Sequence, residues 1–398
     1  MTQLRFLTAG ESHGPKLTAI LEGVVAGLPV SAAAIDRELA RRQVAYGAGG
    51  RMKIERDEVS ISAGVVAGHT TGAPIALEVL NRDYKSWAEK DIPPMTVPRP
   101  GHADLTGALK YGYRDLRLAL ERASARETTM RVAAGAVCKA YLAQFGVTVG
   151  GYVVSIGDVA AELPADLTYA KRFARAEGND VRCPDGAAAE RMRGLIRDTM
   201  QAKDTLGGVF EVVALGVPPG LGSHVHFDRK LDAQLAAALI SIQAIKGVEI
   251  GPAFANARRR GTEVHDEITV DKAGDLHRSS NRAGGLEGGV STGEPIVLRA
   301  AMKPISTTLK PLQSVDLATG EPTPTRYERS DFTAVPRAVV IGEAMVAWVL
   351  ADALLQKLGG DSLAEQLPRF AALPRNRLAD APMDNRPWRF AYDTKRND

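Results

Sequence analysis

Apolar residues follow two different periods along this chain, and the period changes several times between its ends. Alternation of apolar and polar side chains, which is typical of a half-buried strand, runs from Leu4 to Ala9. Later stretches are also rich in β-branched or other apolar residues and are bounded by glycine or proline. We predict strands there, at 59–66, 75–80, 147–156, 207–217 and 296–302, with a strand pair around 262–270.

Helical spacing, in which apolar residues recur every three or four positions, occupies other stretches. The residues between Leu17 and Val25 have this spacing and predict a helix. Ser31 is a suitable N-cap for a second helix, in which Ile35 and Leu39 would face inward. Further helices are predicted from Ser124 to a stop at Gly146, from a cap at Asp228 to Ile242, and over 336–358 and 362–367.

Two long stretches lack either pattern. Residues 81–101 form a polar, proline-rich loop, and loops of this length are often lids or binding loops. Residues 157–190 are polar and predict an exposed connection. No fixed-period repeat and no linker divides the chain, and its strands and helices do not alternate as βαβ units. We therefore predict a single large α+β domain at 1–373, followed by a polar tail at 374–398.

The composition limits what this chain can bind. Its 398 residues include 50 lysines and arginines and 47 aspartates and glutamates, giving a net charge of +3. That charge is too small for a general nucleic-acid binder. Cys138 and Cys183 form no CxxC motif, so neither a disulfide framework nor a metal site is expected.

The charged residues in the apolar segments favour a cytoplasmic location without a membrane partner. Arg5 and Glu11 leave no apolar stretch long enough for the core of a signal peptide. The most apolar late segment, 339–355, contains Glu343 and Asp352, which favours a buried amphipathic helix over a membrane span.

The stretch 99–131 concentrates positive charge, with six arginines, one lysine and one histidine. Ser124 and Glu127 have the spacing of a capping box, which predicts a helix start with unpaired backbone N–H groups. Arg122 and Arg126 beside it make this helix start a candidate anion site. A capped surface helix with ordinary salt bridges is the alternative.

The segment Gly10–Gly14 matches G-x-S-x-G, the pattern of a hydrolase nucleophile elbow. A serine hydrolase that uses Ser12 is therefore a competing hypothesis. Two features count against it: the turn follows the first strand, so no earlier sheet presents it, and His13 is adjacent to Ser12. A tight turn in which two glycines satisfy the backbone geometry is the plainer interpretation.

The remaining candidates for chemistry are histidines and cations in turns. His13 and His102 lie in glycine-flanked turns, where imidazole suits proton transfer. Basic residues collect in turns rich in glycine or serine: Arg42, Arg51, Arg99, Arg122, Arg126, Lys303 and Arg329. Guanidinium groups suit recognition of phosphate and carboxylate. These residues predict an enzyme that acts on a small multianionic substrate, with an anion- or RNA-binding module as the non-enzymatic alternative.

Separated segments between positions 10 and 337 resemble the chorismate synthase family, and they occur in the family's order. These segments are Gly10–Gly14, Arg51–Met52 after a glycine loop, Arg99–Asp104, Glu121–Glu127, Gln243–Glu249, Asn281–Gly289, Lys303–Thr307, Arg329–Asp331 and Val335–Arg337. The chain is identified as a member of that family on these motifs.

The resemblance implies an activity, a fold and partners. The activity is anti-1,4-elimination of phosphate from 5-enolpyruvylshikimate 3-phosphate to give chorismate, the last common step of the shikimate pathway. It requires reduced FMN. The implied fold is a β-α-β sandwich, with helices between two antiparallel sheets, in a homotetramer. No added flavin-reductase domain is visible in the sequence, so an external flavin reductase or supply of reduced FMN is expected, with NADPH as a further cofactor for flavin reduction.

The resemblance also implies roles at matching positions. His13 resembles the histidine that protonates the departing phosphate, His102 the one that acts near the flavin, and Asp331 the carboxylate that takes a proton from flavin N5. The implied substrate-binding residues are Arg42, Arg51, Arg99, Ser124, Arg126 and Arg329. The implied FMN-contacting residues are Arg122, Ala123, Ser124, Gln243, Ala244, Gly288, Lys303, Pro304, Ile305, Ser306, Thr307 and Arg329.

One position departs from the family pattern. Members often have an arginine in the glycine loop where this chain has Ala48. That position is linked to the substrate phosphate or, with Arg42, to a proposed NADPH site, and Arg51 is a candidate for compensation.

Overall fold

Strands and helices recur throughout the computed structural model, which describes residues 4–48, 56–328, 330–381 and 383–388. In chain order the strands are β1 (Arg5–Ala9), β2 (Lys16–Glu22), β3 (Val59–Ala63), β4 (Val65–Val66), β5 (His69–Thr70), β6 (Ile75–Leu80), β7 (Thr148–Ile156), β8 (Val159–Ala160), β9 (Gly208–Leu215), β10 (Ile245–Ile250), β11 (Ile268–Val270), β12 (Leu276–Arg278), β13 (Leu286–Glu287), β14 (Val290–Ser291), β15 (Ile296–Met302), β16 (Gln313–Val315) and β17 (Pro322–Pro324). The α-helices are α1 (Ala32–Gln43), α2 (Asp104–Tyr111), α3 (Arg117–Ala123), α4 (Thr128–Ala143), α5 (Tyr169–Glu177), α6 (Gly186–Gln201), α7 (Leu231–Ile240), α8 (Ala253–Asn256), α9 (Gly261–Val264), α10 (Val335–Leu358) and α11 (Leu363–Ala371). Short 3₁₀ helices lie at Arg82–Ser86, Ala125–Glu127, Phe227–Arg229 and Leu378–Asp380.

Two antiparallel sheets form the outer layers of a sandwich. The first has the strand order β1-β2-β6-β3 and the second has the order β10-β15-β9-β7-β8. Between them, α4 packs against β2 and β6 on one side and β7 on the other, and α10 packs against β7 and β9. The ring of Phe6 in β1 also meets Trp348 of α10 edge-on, 5.3 Å between centroids. The predicted α+β class with helices between two antiparallel sheets is confirmed.

The helix predicted between Leu17 and Val25 is wrong, because the stretch as far as Glu22 is strand β2 and no helix follows it before Ser31. Leu17, Ala19 and Leu21 are buried, whereas Ile20 lies on the outer face of the sheet. The spacing of Leu17, Ile20 and Leu21 therefore matched a helix by coincidence. Pairing with β1 and β6 determines the strand, since β-structure depends on neighbouring strands more than on local preference.

The exposed connection predicted at 157–190 is also wrong in part. Helix α5 and the start of α6 lie within it, and Val181 and Cys183 are buried. Asp228 does not cap α7; its carboxylate accepts a hydrogen bond from His226, and Lys230 is the N-cap residue. In the region predicted to be a strand pair, 262–264 is helical and β11 pairs with β12 further on.

Helix α10 is the central element of the sandwich. Among the described residues it is the one helix long and apolar enough to cross a membrane, but 94% of its most apolar window is buried inside the protein. Its two interruptions are partnered: Glu343 binds Arg41 and Lys139, and Asp352 accepts from the backbone N–H of Leu4. The predicted buried helix is confirmed.

Gly135 in α4 permits a close crossing with α10. A Cβ at position 135 would lie 2.4 Å from Cβ and 2.6 Å from Cα of Ala344. Gly135→Ala is therefore expected to lower the free energy of unfolding by about 1–3 kcal/mol, the usual effect of overpacking, measured by urea denaturation.

The matched control for this substitution is Gly194→Ala in α6, where a Cβ would meet nothing within 4 Å. Only helix propensity changes there, so stability is expected to rise by up to about 1 kcal/mol. Equal changes in the two variants would contradict the close crossing.

Candidate active site

The turn before α2 holds Arg99 and His102 on one carboxylate. His102 Nδ1 lies 2.6 Å from Asp104 Oδ1, and Arg99 donates from Nε to Asp104 Oδ2 at 2.8 Å. The backbone N–H of Arg99 donates to the same oxygen. Burial disfavours ionisation of Asp104, but its hydrogen bonds from His102 and Arg99 outweigh burial and hold the pKa of that carboxyl well below its ordinary value. The orientation of His102 is thereby fixed.

The segment Lys303–Thr307, at the end of β15, lies against this turn. Arg99 Nη1 donates to Thr307 Oγ1 at 2.9 Å, and Lys303 Nζ donates to the carbonyl of Gly101 at 3.0 Å. Gly101 has φ +77°, and a Cβ there would lie 3.6 Å from Cβ of Ser306. The carbonyl of Ile305 accepts from Thr205, while Pro304 is exposed. Three residues predicted to contact FMN, Lys303, Ser306 and Thr307, are thus brought next to the turn that holds Arg99 and His102.

His13 lies in the turn between β1 and β2 and is held by Glu121 of α3. Its Nδ1 is 2.6 Å from Glu121 Oε1, and its backbone N–H donates to Oε2 at 2.7 Å. Trp87, from the 81–101 loop, packs on the imidazole with ring centroids 4.2 Å apart. Burial opposes ionisation of Glu121, yet the two hydrogen bonds from His13 keep the pKa of Glu121 below its usual value.

A network of buried arginines lies beside the His13 turn. Asp57 accepts from Arg42 at 2.7 Å and from Arg126 at 2.6 Å, and Arg126 Nε donates to Asn81 Oδ1 at 2.9 Å. Burial favours the neutral form of Asp57, but the two guanidinium groups overcome it and lower the pKa of this carboxyl. Burial likewise lowers the pKa of Arg42; Asp57 opposes this effect, and Arg126 adds to it.

Asp331 pairs with Arg337, in the first turn of α10, and Arg337 lies close enough to Arg42 of this network to act on it electrostatically. Nη1 of Arg337 donates to Asp331 Oδ2. Nε and Nη2 of Arg337 and Nε of Arg42 are buried, and no described residue accepts a hydrogen bond from them.

The predicted helix start at Ser124 forms with a different cap. Ser124 Oγ accepts from the backbone N–H of Arg126, at the start of a single 3₁₀ turn that leads into α4. The predicted capping box is wrong, because Glu127 does not reach back. Its carboxylate accepts instead from Thr8, Arg131 and Gln243. Thr8 and Gln243 are distant in sequence and Arg131 lies one helical turn further on; these three partners replace the backbone N–H of Ser124.

Several predicted FMN-contacting residues border Glu127. Arg122 donates to the carbonyl of Thr8 at 2.8 Å, and Ala123 ends α3. Gln243 reaches Glu127 from the end of α7, and the carbonyl of Ala244 accepts from the backbone N–H of Lys303 at 3.0 Å. Ala244 therefore connects the residues around Glu127 to the Lys303–Thr307 segment.

Gly288 is not brought together with these residues. It precedes Gly289, whose carbonyl accepts from Leu231 at the N-terminal end of α7. Gln243 follows the opposite end of this ten-residue helix, about 15 Å away at 1.5 Å per residue.

Three further predicted positions concern the glycine loop and the Arg329 segment. Ala48 is half-buried, and the carbonyl of Gly47 before it accepts from Phe332, next to Asp331. Arg51 and Arg329 lie outside the described residues, so the arrangement of these two side chains stays a prediction.

Several members of the arrangement were missed from the sequence, among them Asp57, Trp87 and Arg337. Asp57 follows a run of basic residues, so the sequence suggests only an exposed carboxylate that balances their charge. Trp87 lies in a polar loop, where a single aromatic residue does not indicate a site. Arg337 was noted within a motif without a role. An arginine at the start of an apolar helix was the available signal, because a helix core seldom buries a guanidinium without a partner.

The geometry argues against the nucleophile elbow. The Gly10–Gly14 turn connects two strands, β1 and β2, whereas an elbow connects a strand to a helix. Ser12 is only 3% exposed, and its Oγ accepts from Ser124 Oγ at 3.1 Å. His13 directs Nδ1 to Glu121. The arrangement suits binding of a polyanion and proton transfer by two carboxylate-held histidines.

Comparison with known proteins gives one consistent result. The family described as chorismate synthase matches residues 4–355. The chorismate synthase of Pelobacter propionicus is 56% identical over 378 residues, covering 91% of this chain and 96% of that protein. The chorismate synthase of Aquifex aeolicus is 53% identical over 383 residues, covering 92% and 96% respectively.

A solved structure agrees with these relatives. A crystal structure of chorismate synthase superposes with a TM-score of 0.77 at 46% identity, covering 92% of this chain and 96% of that one. Matches over nearly the whole chain, in sequence and in fold, confirm the resemblance drawn from the separated motifs. This chain is therefore an enzyme, a lyase, and it belongs to the chorismate synthase family.

Proposed function

We propose that this enzyme eliminates phosphate from 5-enolpyruvylshikimate 3-phosphate in an anti-1,4 sense, giving chorismate, and that it requires reduced FMN. The observation that carries the proposal is the placing of buried arginines, each less than 9% exposed, beside histidine turns: Arg99 beside His102, and Arg42 and Arg126 beside the turn of His13. A substrate with one phosphate and two carboxylates needs several cations to replace its hydration.

His13 is the residue proposed to protonate the departing phosphate. A leaving phosphate accumulates negative charge, which an imidazolium N–H can neutralise. Glu121 on Nδ1 and the ring of Trp87 hold the imidazole in place. We assign the proton transfer to Nε2, because Nδ1 is bound to Glu121.

The residues around the Arg99 turn fit reduced FMN. Lys303 supplies a cation that is only partly buried, and Ser306 and Thr307 supply hydroxyls, next to a glycine with positive φ that keeps the backbone accessible. Burial first, and the nearby Lys246 second, lower the pKa of Lys303. Bound there, the flavin would lend an electron transiently and assist loss of the C6 hydrogen. His102 would hold a proton at Nε2, and the carboxylate of Asp331 would accept one.

The remaining assignments concern assembly, location, cofactor supply and domain limits. We propose a homotetramer, since large apolar side chains such as Leu109, Phe227 and Phe254 are exposed. In such a tetramer, Gly288 would contact the flavin bound by a neighbouring protomer. We further propose a cytoplasmic location, an external supply of reduced FMN with NADPH as its source, and a catalytic domain at 1–373 before the tail at 374–398.

Anaerobic turnover tests the function. The purified protein is incubated with 5-enolpyruvylshikimate 3-phosphate and dithionite-reduced FMN, and chorismate absorbance and free phosphate are followed together. Both are expected to rise in equal amounts, whereas oxidised FMN supports neither. If neither product forms with reduced FMN, the proposed reaction is wrong for this chain.

A further inference from the structure

We propose that Arg337 is a substrate-anion-binding residue and that it also positions Asp331. This inference rests on the proposed function and adds a residue to which that function assigns no role. It starts from the side-chain N–H groups that the fold buries without an acceptor.

Arg337 uses only part of its hydrogen-bonding capacity. Nη1 donates to Asp331, whereas Nε and Nη2 are buried and find no acceptor among the described residues. The residue is 8% exposed. Buried donors almost always have a partner, and leaving one unsatisfied is unfavourable. The missing acceptor is therefore expected to come from outside the chain.

Arg42 has the same feature in the same network. It is 5% exposed, Nη2 donates to Asp57, and Nε has no acceptor among the described residues. Arg337 is close enough to act electrostatically on Arg42. Two arginines of one network thus present three unsatisfied donors.

The charges of the network point to an anion. Its described ionised groups are three guanidiniums and two carboxylates: Arg42, Arg126, Arg337, Asp57 and Asp331. One positive charge remains in excess. A carboxylate or phosphate oxygen would neutralise that charge and accept from the unsatisfied N–H groups, which suits the planar guanidinium fork.

The two roles of Arg337 support each other. The hydrogen bond from Nη1 fixes the Asp331 carboxylate relative to α10, and Pro336 in the first turn of α10 helps to fix the start of that helix. An anion bound to Nε and Nη2 would thus lie a few ångströms from Asp331. This places the charge of the substrate next to the proposed proton acceptor.

The test compares Arg337→Lys with Arg182→Lys. Arg182 is a matched control: it is 2% exposed, pairs with Glu177, and also has an Nε without an acceptor, but it belongs to a different charged network. Lysine keeps the charge and loses the fork. Dissociation constants for 5-enolpyruvylshikimate 3-phosphate are measured by calorimetry with oxidised FMN present, so that no turnover occurs, and melting temperatures are recorded alongside.

Arg337→Lys is expected to weaken substrate binding at least tenfold and to leave FMN binding within about twofold, while Arg182→Lys changes neither. Weaker binding of FMN alone would assign the anion to the flavin phosphate and overturn the substrate role. Unchanged binding of both ligands, with a melting temperature lowered as in Arg182→Lys, would reduce Arg337 to a structural residue.

The unmodified protein provides a second measurement if Arg337→Lys does not fold. Substrate is expected to raise its melting temperature in a saturable manner, because the ligand satisfies donors that the free protein leaves unpaired. No such rise would overturn the inference. Chorismate formation by the same wild-type sample separates the role of Arg337 from the proposed reaction. If the wild type forms chorismate but Arg337→Lys binds substrate as the wild type does, only the role of Arg337 is refuted. If the wild type neither binds substrate nor forms chorismate, the proposed reaction is refuted as well.

Discussion

Glu343→Gln is expected to lower the free energy of unfolding by about 3 kcal/mol near neutral pH. Glu343 is fully buried in α10, where it accepts from Arg41 at 2.7 Å and from Lys139 at 2.5 Å. Burial raises its pKa, but Lys139 and Arg41 more than compensate and hold the pKa at about 2, from an ordinary value of 4.5. A difference of that size between folded and unfolded chains corresponds to about 3 kcal/mol.

The pH dependence of this contribution has a definite sign. The folded-state pKa of Glu343 is depressed, so its stabilising effect is complete above the unfolded-state value of 4.5 and is lost as the pH falls through about 2. The stability difference between wild type and Glu343→Gln is therefore expected to be constant near neutrality and to shrink below about pH 4.5. Urea unfolding at about pH 7 and about pH 3 measures it.

Glu177→Gln is the control for this measurement. Glu177 pairs with Arg41 and Arg182, but its side chain is 38% exposed, so its removal is expected to cost less than about 1 kcal/mol. Similar losses in Glu343→Gln and Glu177→Gln, or a difference from wild type that does not change with pH, would contradict the role given to burial.

The helix that holds Glu343 illustrates what local patterns can predict. Periodicity identified α1, α4 and α10, and the two carboxylates in α10 favoured a buried helix over a membrane span. Strands that coincide with isolated apolar runs, such as β7 and β15, were predicted equally well from the sequence. In these elements local preference and tertiary environment agree, so a short window of residues carries the information.

The elements that were mispredicted depend on partners far along the chain. Strand β2 has helix-like spacing, and only its pairing with β1 and β6 makes it a strand. Helices α5 and α6 are polar on the face away from the core, so their stretch resembled a loop. In both cases the deciding contacts are absent from the local sequence.

The candidate site shows the same division. His102 and Asp104 are two positions apart, and their motif was recognised directly. By contrast, His13 meets Glu121 across 108 positions, Arg126 meets Asp57 across 69, and Arg99 meets Thr307 across 208. Family resemblance supplied several of these residues without their contacts. It gave no partner for Arg337, because a motif match does not state which donors remain unsatisfied.

His102→Ala and His13→Ala are each expected to lower kcat by at least ~10²-fold, the usual scale for a lost acid–base group. His13→Ala removes the proposed proton donor for the phosphate. His102→Ala removes the imidazole that Asp104 orients beside the Lys303–Thr307 segment. Chorismate formation with excess reduced FMN gives kcat and KM for each variant. Wild-type rates in both would show that the roles are misassigned even though the family is correct.

His277→Ala is the matched control for both variants. His277 also pairs with a carboxylate, Asp271, at 3.0 Å, but its side chain is 56% exposed, and it belongs to the β11–β12 hairpin instead of the arginine network. Its removal is expected to leave kcat and KM unchanged. A comparable loss in His277→Ala would mean that any histidine–carboxylate pair matters for folding, and that the losses at positions 13 and 102 say nothing about proton transfer.

Asp104→Asn extends the test from the imidazole to its orientation. An amide cannot accept from His102 and from the three donors of Arg99 as the carboxylate does, so kcat is expected to fall by about tenfold or more with His102 still present. Because Arg99 also loses its anchor, KM is expected to rise, whereas His102→Ala mainly lowers kcat. Identical KM values in the two variants would show that Asp104 serves His102 alone and that Arg99 is positioned by Thr307.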